Sequence, residues 1–210
     1  MDSIASKIEE RIRSWERGRI FFINDFADLG SAEVVRQTLN RLTKAEVILR
    51  PGRGVYCYPK EYSKEMKILG LSGKYIGPTV DEIAWAIAER DHSRIAPNIA
   101  YAQYQLGLSQ QIPMNVVYLT DGSGRRIPMG QRHGILFKHT SDMSLFAYRN
   151  RLMQMIVISL KDIGEQWVGD KERQVIARNL KDVDRVDFDH DIKLAPEWMR
   201  IELQKLYEIH

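Results

Sequence analysis

Gln37, Asn40, Arg41 and Lys44 lie three, one and three residues apart, a spacing that gathers side chains on one face of an α-helix. Their chemistry is that of base-edge recognition. An Asn or Gln amide bonds adenine in two places, an Arg guanidinium does the same to guanine, and an apolar side chain such as Val34 meets a thymine methyl. Arg36 flanks the same face, and Ser31 stands where the helix begins. Arg50 and Arg53 follow on either side of Pro51-Gly52 and, with Lys44 and Lys60, offer fixed positive charge for phosphates, which sets position and affinity but not sequence preference. Ser31, Arg36, Gln37, Asn40, Arg41, Lys44, Arg50 and Arg53 therefore form a candidate surface for double-stranded DNA.

That surface needs a scaffold, and the surrounding residues spell one. Ile4, Ile8, Ile12 and Trp15 recur at helical spacing, with Ser3 to cap the start and Gly18 to stop the run. Arg19 to Ile23 forms a short apolar stretch, after which Asp25 caps a single helical turn that Gly30 closes. Ser31 caps the next helix, whose Ala32, Val35, Leu39 and Leu42 share the inward face. Two β-prone stretches, Glu46 to Arg50 and Gly54 to Tyr58, are then joined by the turn Pro51-Gly52-Arg53-Gly54. Helix, turn, helix and hairpin in this order predict a winged helix-turn-helix over residues 1–60. These residues carry eleven Lys and Arg against eight Asp and Glu, an excess equal to the net charge of +3 of the whole chain. Solvated arginines on a helical unit with a hairpin also suit a protein-interaction module, which is the alternative reading.

The segment 61–79 mixes lysine, glycine and proline without sustained period and reads as a linker. Residues 80–210 then predict a larger α+β domain. A capping box at Thr79 and Glu82 opens a helix, and Pro97 opens another that ends near Gly107. Asn115 to Thr120, Arg126 to Met129 and Gly134 to His139 read as strands of an antiparallel sheet, with Asp121 to Gly124 as a hairpin turn. The tail carries helical apolar patterns at Leu152, Met155, Ile156 and Ile163, at Val175, Ile176 and Leu180, and at Trp198, Ile201 and Leu206. Tyr101, Tyr104, Met114 and Tyr118 read as packing residues.

Taken together in order, certain fragments resemble the AbiEi-like family of bacterial regulators, similar to the antitoxins of type IV toxin–antitoxin systems. They are Arg17-Gly18-Arg19-Ile20-Phe21, Asp25-Phe26 with Asp28-Leu29-Gly30-Ser31, Leu39 with Arg41-Leu42, and Gly54-Val55-Tyr56, followed by Asp81-Glu82-Ile83-Ala84, Leu106-Gly107-Leu108-Ser109 and Val117-Tyr118-Leu119-Thr120-Asp121-Gly122. The likeness extends to about residue 150. It implies an N-terminal winged helix that represses its own operon and a C-terminal domain that counters a nucleotidyltransferase-like toxin. Two positions depart from the family pattern: Ala45, where the family commonly has glycine, and Asn98-Ile99, where it commonly has Thr-Gly.

Other chemistries find less support. Asp184, Asp187, Asp189, His190 and Asp191 could hold a divalent metal and would make the chain a metal-dependent enzyme, but the run lies in a linker-like stretch where acids cap or are solvated. His92, His133, His139, His190 and His210 show no ligand spacing, and Ser109, Ser123 and Ser159 lack nucleophile-elbow surroundings. Cys57 has no second thiol and reads as a small core residue. Arg125, Arg126, Arg132, Lys138, Arg149 and Arg151 form a second basic group, suited to DNA, to an acidic partner, or to guarding a sheet edge. No apolar run of membrane-spanning length occurs, and the start MDSIASKIEER lacks the features of a signal peptide, so a cytoplasmic location is expected. The expectation is a non-catalytic regulator without cofactor.

Overall fold

A computed structural model describes residues 3–63, 66, 68, 73–130 and 133–208. Arg132, His210 and part of the expected linker lie outside the described residues. The protein is α+β and divides into two compact units. The first comprises residues 1–90 with 127–134, and the second 91–126 with 135–210.

In the first unit, α1 spans Ile4–Ser14 and is capped by Ser3, whose hydroxyl accepts the Ser6 amide at 3.1 Å. Its Ile8 and Ile12 are fully buried. β1 is Ile20–Phe21, and a 3₁₀ turn follows at Ile23–Phe26. Asp25 stabilises that turn from inside it, its carboxylate accepting the Phe22 amide at 2.8 Å, so it closes the turn without preceding it. α2 spans Ala32–Lys44, with the Ser31 hydroxyl accepting the Val34 amide at 3.4 Å. Val35, Leu39 and Leu42 face inward as expected; Thr38 joins them, whereas Ala32 is exposed. Ile8, Ile12, Phe21, Phe26, Val35, Leu39, Ile48 and Tyr56 make one core.

β2 is Leu49–Gly52 and β3 is Val55–Cys57, in a three-stranded antiparallel sheet ordered β1-β3-β2. Gly52 pairs with Val55, so the turn is only Arg53-Gly54, and Pro51 lies within β2. The chain leaves α2 through Glu46, which takes φ of 55°, while Ala45 keeps an ordinary negative φ. The left-handed residue at this exit is thus one position beyond the glycine of the resembled pattern. Lys60–Glu61 (β4) and Tyr75–Ile76 (β5) pair as a short antiparallel ladder inside the segment expected to be a linker. α3, Val80–Arg90, belongs to this first unit by its contacts, not to the second half of the chain. Its start is the expected box, with the Thr79 amide donating to Glu82 at 2.7 Å and the Glu82 amide to the Thr79 hydroxyl at 3.1 Å.

In the second unit, Ile95–Pro97 is a strand, β6, and Asn98 caps α4 over Ile99–Leu106 by accepting the Tyr101 amide at 3.1 Å. Pro97 therefore ends a strand where a helix start was expected, and Asn98 performs the capping. β7 (Val116–Thr120), β8 (Arg125–Met129) and β9 (His133–His139) complete a sheet ordered β6-β7-β9-β8, residues 127–129 of β8 and 133–134 of β9 being counted with the first unit. β6 and β7 run antiparallel, but β7 and β9 run parallel, so the sheet is mixed. Asp121 to Gly124 is consequently not a hairpin turn: the chain crosses β9 to reach β8. Gly124 lies close to β9 at this crossing, and a Cβ there would come within 3.3 Å of the Phe137 carbonyl oxygen. α5 (Arg151–Ile163), α6 (Asp170–Leu180), α7 (Arg185–Asp191) and α8 (Glu197–Glu208) follow. Met153, Ile156, Leu160, Ile176, Phe188 and Leu203 form their core. Tyr101 and Tyr118 are buried, whereas Met114 and Ile201 are 70% and 53% exposed.

Candidate nucleic-acid interface

The amphipathic period of α2 dictates the interface. With Val35 and Leu39 fully buried, the opposite face of the helix must meet solvent, and Arg36, Gln37, Arg41 and Lys44 are exposed there, with Asn40 half-buried beside them. Thirteen residues give a rod about 20 Å long. Arg53 is exposed at the tip of the β2–β3 hairpin, and Arg50 is exposed on β2. The eight side chains singled out from the sequence therefore reach the surface in whole or in part, but the structure sorts them into groups with different chemistry.

Ser31 spends its hydroxyl oxygen on the helix cap. Arg36 and Gln37 are both held by one acid, Glu33, through an ion pair at 2.9 Å and a hydrogen bond in which the Gln37 amide donates at 3.0 Å. Asn40 meets Arg50 across the gap between helix and sheet, the guanidinium donating to the Asn40 oxygen at a long 3.5 Å, and Arg50 also lies over the Tyr56 ring, 5.7 Å from its centroid. Arg41, Lys44 and Arg53 have no ion pair or hydrogen-bond partner among the described residues. These three are the cations left to a ligand. Glu33 was not among the candidates; its signal was its position three residues before Arg36 and four before Gln37.

The hairpin is also buttressed, which nothing in the sequence foretold. A Cβ on Gly52 would lie 3.2 Å from Ile127 Cγ2 and 3.3 Å from the Pro128 carbonyl oxygen. A side chain there would require this segment of the first unit to give way by a few tenths of an ångström. Elsewhere in the unit, Arg11 forks onto Asp28 with bonds of 2.7 and 2.6 Å, which raises the guanidinium pKa and lowers that of the carboxyl. Arg17 pairs with Glu61 at 2.8 Å, Arg19 stacks on Trp15, and Lys74 pairs with Glu46. These cations are engaged by the protein itself.

In the second basic group Lys138 and Arg149 are exposed, whereas three other members are engaged by the protein. Arg125 pairs with Asp91, Arg126 reaches Asn115 at 3.5 Å, and Arg151 donates to the Tyr118 hydroxyl at 3.0 Å. The acidic run 184–191 is a helix and its cap, not a linker. Asp184 caps it through the Asp187 amide at 2.9 Å, Asp189 pairs with Arg185 at 2.9 Å, and Asp191 is fully buried. Among the described residues no group of three or more His, Cys, Asp or Glu is placed to hold a metal ion. Cys57 is buried, and burial pushes its thiol pKa up to about 11, so it is not poised as a nucleophile.

A family model matches residues 7–188, and the chain belongs to that family, DUF6088, a family of unknown function. No curated protein matches the chain.

Proposed function

We propose that this member of the DUF6088 family is a regulator that binds double-stranded DNA through its first unit, a winged helix-turn-helix with α2 as recognition helix and the β2–β3 hairpin as wing. The observation that carries the reading is the outward face of α2 with the hairpin beside it. Three cations, Arg41, Lys44 and Arg53, face solvent there without protein partners among the described residues, next to amide groups suited to base edges. A helix of this length fits the major groove of B-DNA, about 12 Å wide. The hairpin arginines supply phosphate contacts that orient it. The strand order β1-β3-β2 behind two helices supports the same reading, as does the resemblance to AbiEi-like regulators.

In this reading Gln37, Asn40 and Arg41 contact bases, while Lys44, Arg50 and Arg53 contact backbone. The protein represses its own operon in the cytoplasm and performs no catalysis. The nucleotidyltransferase-like toxin partner follows from the AbiEi-like resemblance alone, and co-purification with the product of the adjacent gene tests it. Among the described residues, no helix is long and apolar enough to cross a membrane.

The decisive experiment is selection of duplexes from a randomised pool, followed by gel shifts of the selected and a random duplex at several salt concentrations. A selected site that binds about a thousand-fold or more tighter than random DNA, with affinity falling as salt rises, is the expected result. Absence of any salt-sensitive shift with either duplex would overturn the proposal and favour a protein-interaction module.

A further inference from the structure

Glu33 is an acid on a face otherwise suited to an anionic polymer. It sits in the first turn of α2, where a carboxylate favours the helix, but a helix needs no such acid to hold two of its outward side chains. Glu33 does hold them: one carboxylate oxygen takes the Arg36 guanidinium at 2.9 Å, and the other accepts from the Gln37 amide at 3.0 Å. Arg36 is half exposed, at 50%, and Glu33 is exposed at 58%, and among the described residues neither side chain has another ion-pair partner. The consequence is a division of the face. At its C-terminal end Arg41 and Lys44 have no protein partner among the described residues and are available to DNA. At its N-terminal end the one arginine is neutralised and its neighbouring amide is held in a fixed pose. The N-terminal part of a recognition helix is the part that reaches base edges.

We infer that Glu33 is a specificity-determining positioning residue of the interface, which withholds Arg36 from phosphates and presents Gln37, with Arg36, to the bases. This rests on the DNA-binding reading above. Two effects act in the same direction. The carboxylate repels phosphate, which weakens binding to every sequence, and it pins a donor set that only a matching base edge satisfies. An acid of this kind lowers affinity for random DNA more than for the correct site, and therefore widens the gap between them.

Substitution separates the effects. Glu33→Ala removes both the charge and the acceptor, while Glu33→Gln keeps an oxygen for Gln37 and releases only Arg36. If Arg36 then neutralises one further phosphate, the slope of log affinity against log salt steepens by about 0.9, equivalent to roughly eight-fold tighter binding to random duplex at 0.1 M salt. Both variants are expected to show that gain on random DNA. On the duplex selected by the wild-type protein, Glu33→Ala is expected to lose about ten-fold of its preference over random DNA, and Glu33→Gln less. Adding Arg36→Ala to either variant should cancel the part of the gain on random DNA that Arg36 supplies, with its steeper salt slope, a reversal that a purely structural role of Glu33 would not produce. Far-UV circular dichroism confirms that α2 persists in each protein.

Unchanged random-DNA affinity and salt slope in Glu33→Ala and Glu33→Gln, with the wild type binding its selected duplex, would overturn this inference and leave the DNA-binding proposal intact. Equal losses on both duplexes would do the same. Failure of the wild type to bind either duplex overturns both.

Discussion

Asp191 provides the sharpest test of the fold, because its carboxylate is fully buried and bonded on both oxygens. Oδ1 accepts the Arg149 amide at 2.9 Å, Oδ2 accepts the Asn150 amide at 2.8 Å, and His190 Nδ1 lies 2.8 Å from Oδ1. Asn150 in turn caps α5, its side-chain oxygen accepting the amides of Leu152 at 2.9 Å and Met153 at 3.3 Å. Asp191 thus anchors the residue that starts the central helix of the second core. Asp191→Ala strips the acceptor from two partly buried amides, each costing about 1–3 kcal/mol when left unsatisfied, so a loss of about 4 kcal/mol is expected. At roughly 2–4 °C per kcal/mol for a chain of this length, the thermal midpoint falls by about 8–16 °C. Asp191→Asn retains one oxygen but turns a donor toward the other amide, and should lose about half as much. Asp189→Ala is the control: its carboxylate is 50% exposed and pairs with Arg185 on the helix surface, so its removal should change stability by less than about 0.5 kcal/mol. Thermal unfolding followed by circular dichroism, with and without EDTA, reads all three. A loss in Asp191→Ala no larger than in Asp189→Ala would refute the anchoring argument. A midpoint in the wild type that EDTA lowers by a similar amount would show instead that the run 184–191 serves a metal.

Three further outcomes are expected. Under the proposed function, in which Arg53 meets phosphate and not a base, Arg53→Ala should weaken binding to selected and random duplexes alike and flatten the salt slope by about 0.9; a change in sequence preference would contradict that role. Cys57, with its thiol pushed up to about 11 by burial, should react with a thiol reagent at pH 8 about a hundred-fold more slowly in the native protein than in denaturant, and comparable rates would refute its burial. Asp121 has its pKa lowered, chiefly by the Arg94 side chain at 2.8 Å and also by the Arg94 amide. A folded-state pKa below the unfolded value of 3.8 means stability that is present above about pH 4 and lost as pH falls through the folded-state pKa. Asp121→Asn should therefore shrink the drop in thermal midpoint between pH 6 and pH 2.5, and an undiminished drop would count against the pair.

What could be read from the chain was what is decided locally. Ser3, Ser31 and the Thr79–Glu82 pair mark helix starts because a cap bonds an amide three residues away, within reach of any window of sequence. Pro97 misled because proline suits a strand end as well as a first helical turn, and only the pairing of Pro97 with Tyr118 decides between them. The parallel neighbour of β7 was out of reach for the same reason. Sheet order depends on which distant strand covers which edge, and the turn residues Asp121 to Gly124 look alike whether the chain folds back or crosses over. Met114 and Ile201, apolar but exposed, show the limit of reading burial from side-chain type.

For the interface, the period of α2 settled which side chains face outward, but not which of their charges remain unspent. Lys74 finds Glu46 from 28 positions away, and Arg50 finds Asn40 only because β2 returns alongside α2. That distinction bears on how the cations themselves should be interpreted. Arg41 and Lys44 lie in the last turn of α2, where positive charge is favoured by the helix dipole whether or not DNA is ever bound. Their exposure has a structural reason, and so weighs little by itself. Arg53 has none: it occupies the first position of a two-residue turn, beside Gly54 at φ of 76°, with no acid paired to it among the described residues and no helix end of its own. A hairpin tip of this kind is equally well closed by an uncharged polar residue. The DNA-binding reading therefore needs Arg53 on the hairpin as well as the outward face of α2. If Arg41→Ala and Lys44→Ala weaken a duplex complex while Arg53→Ala leaves it untouched, the hairpin is no wing, and α2 must be docking in some other way.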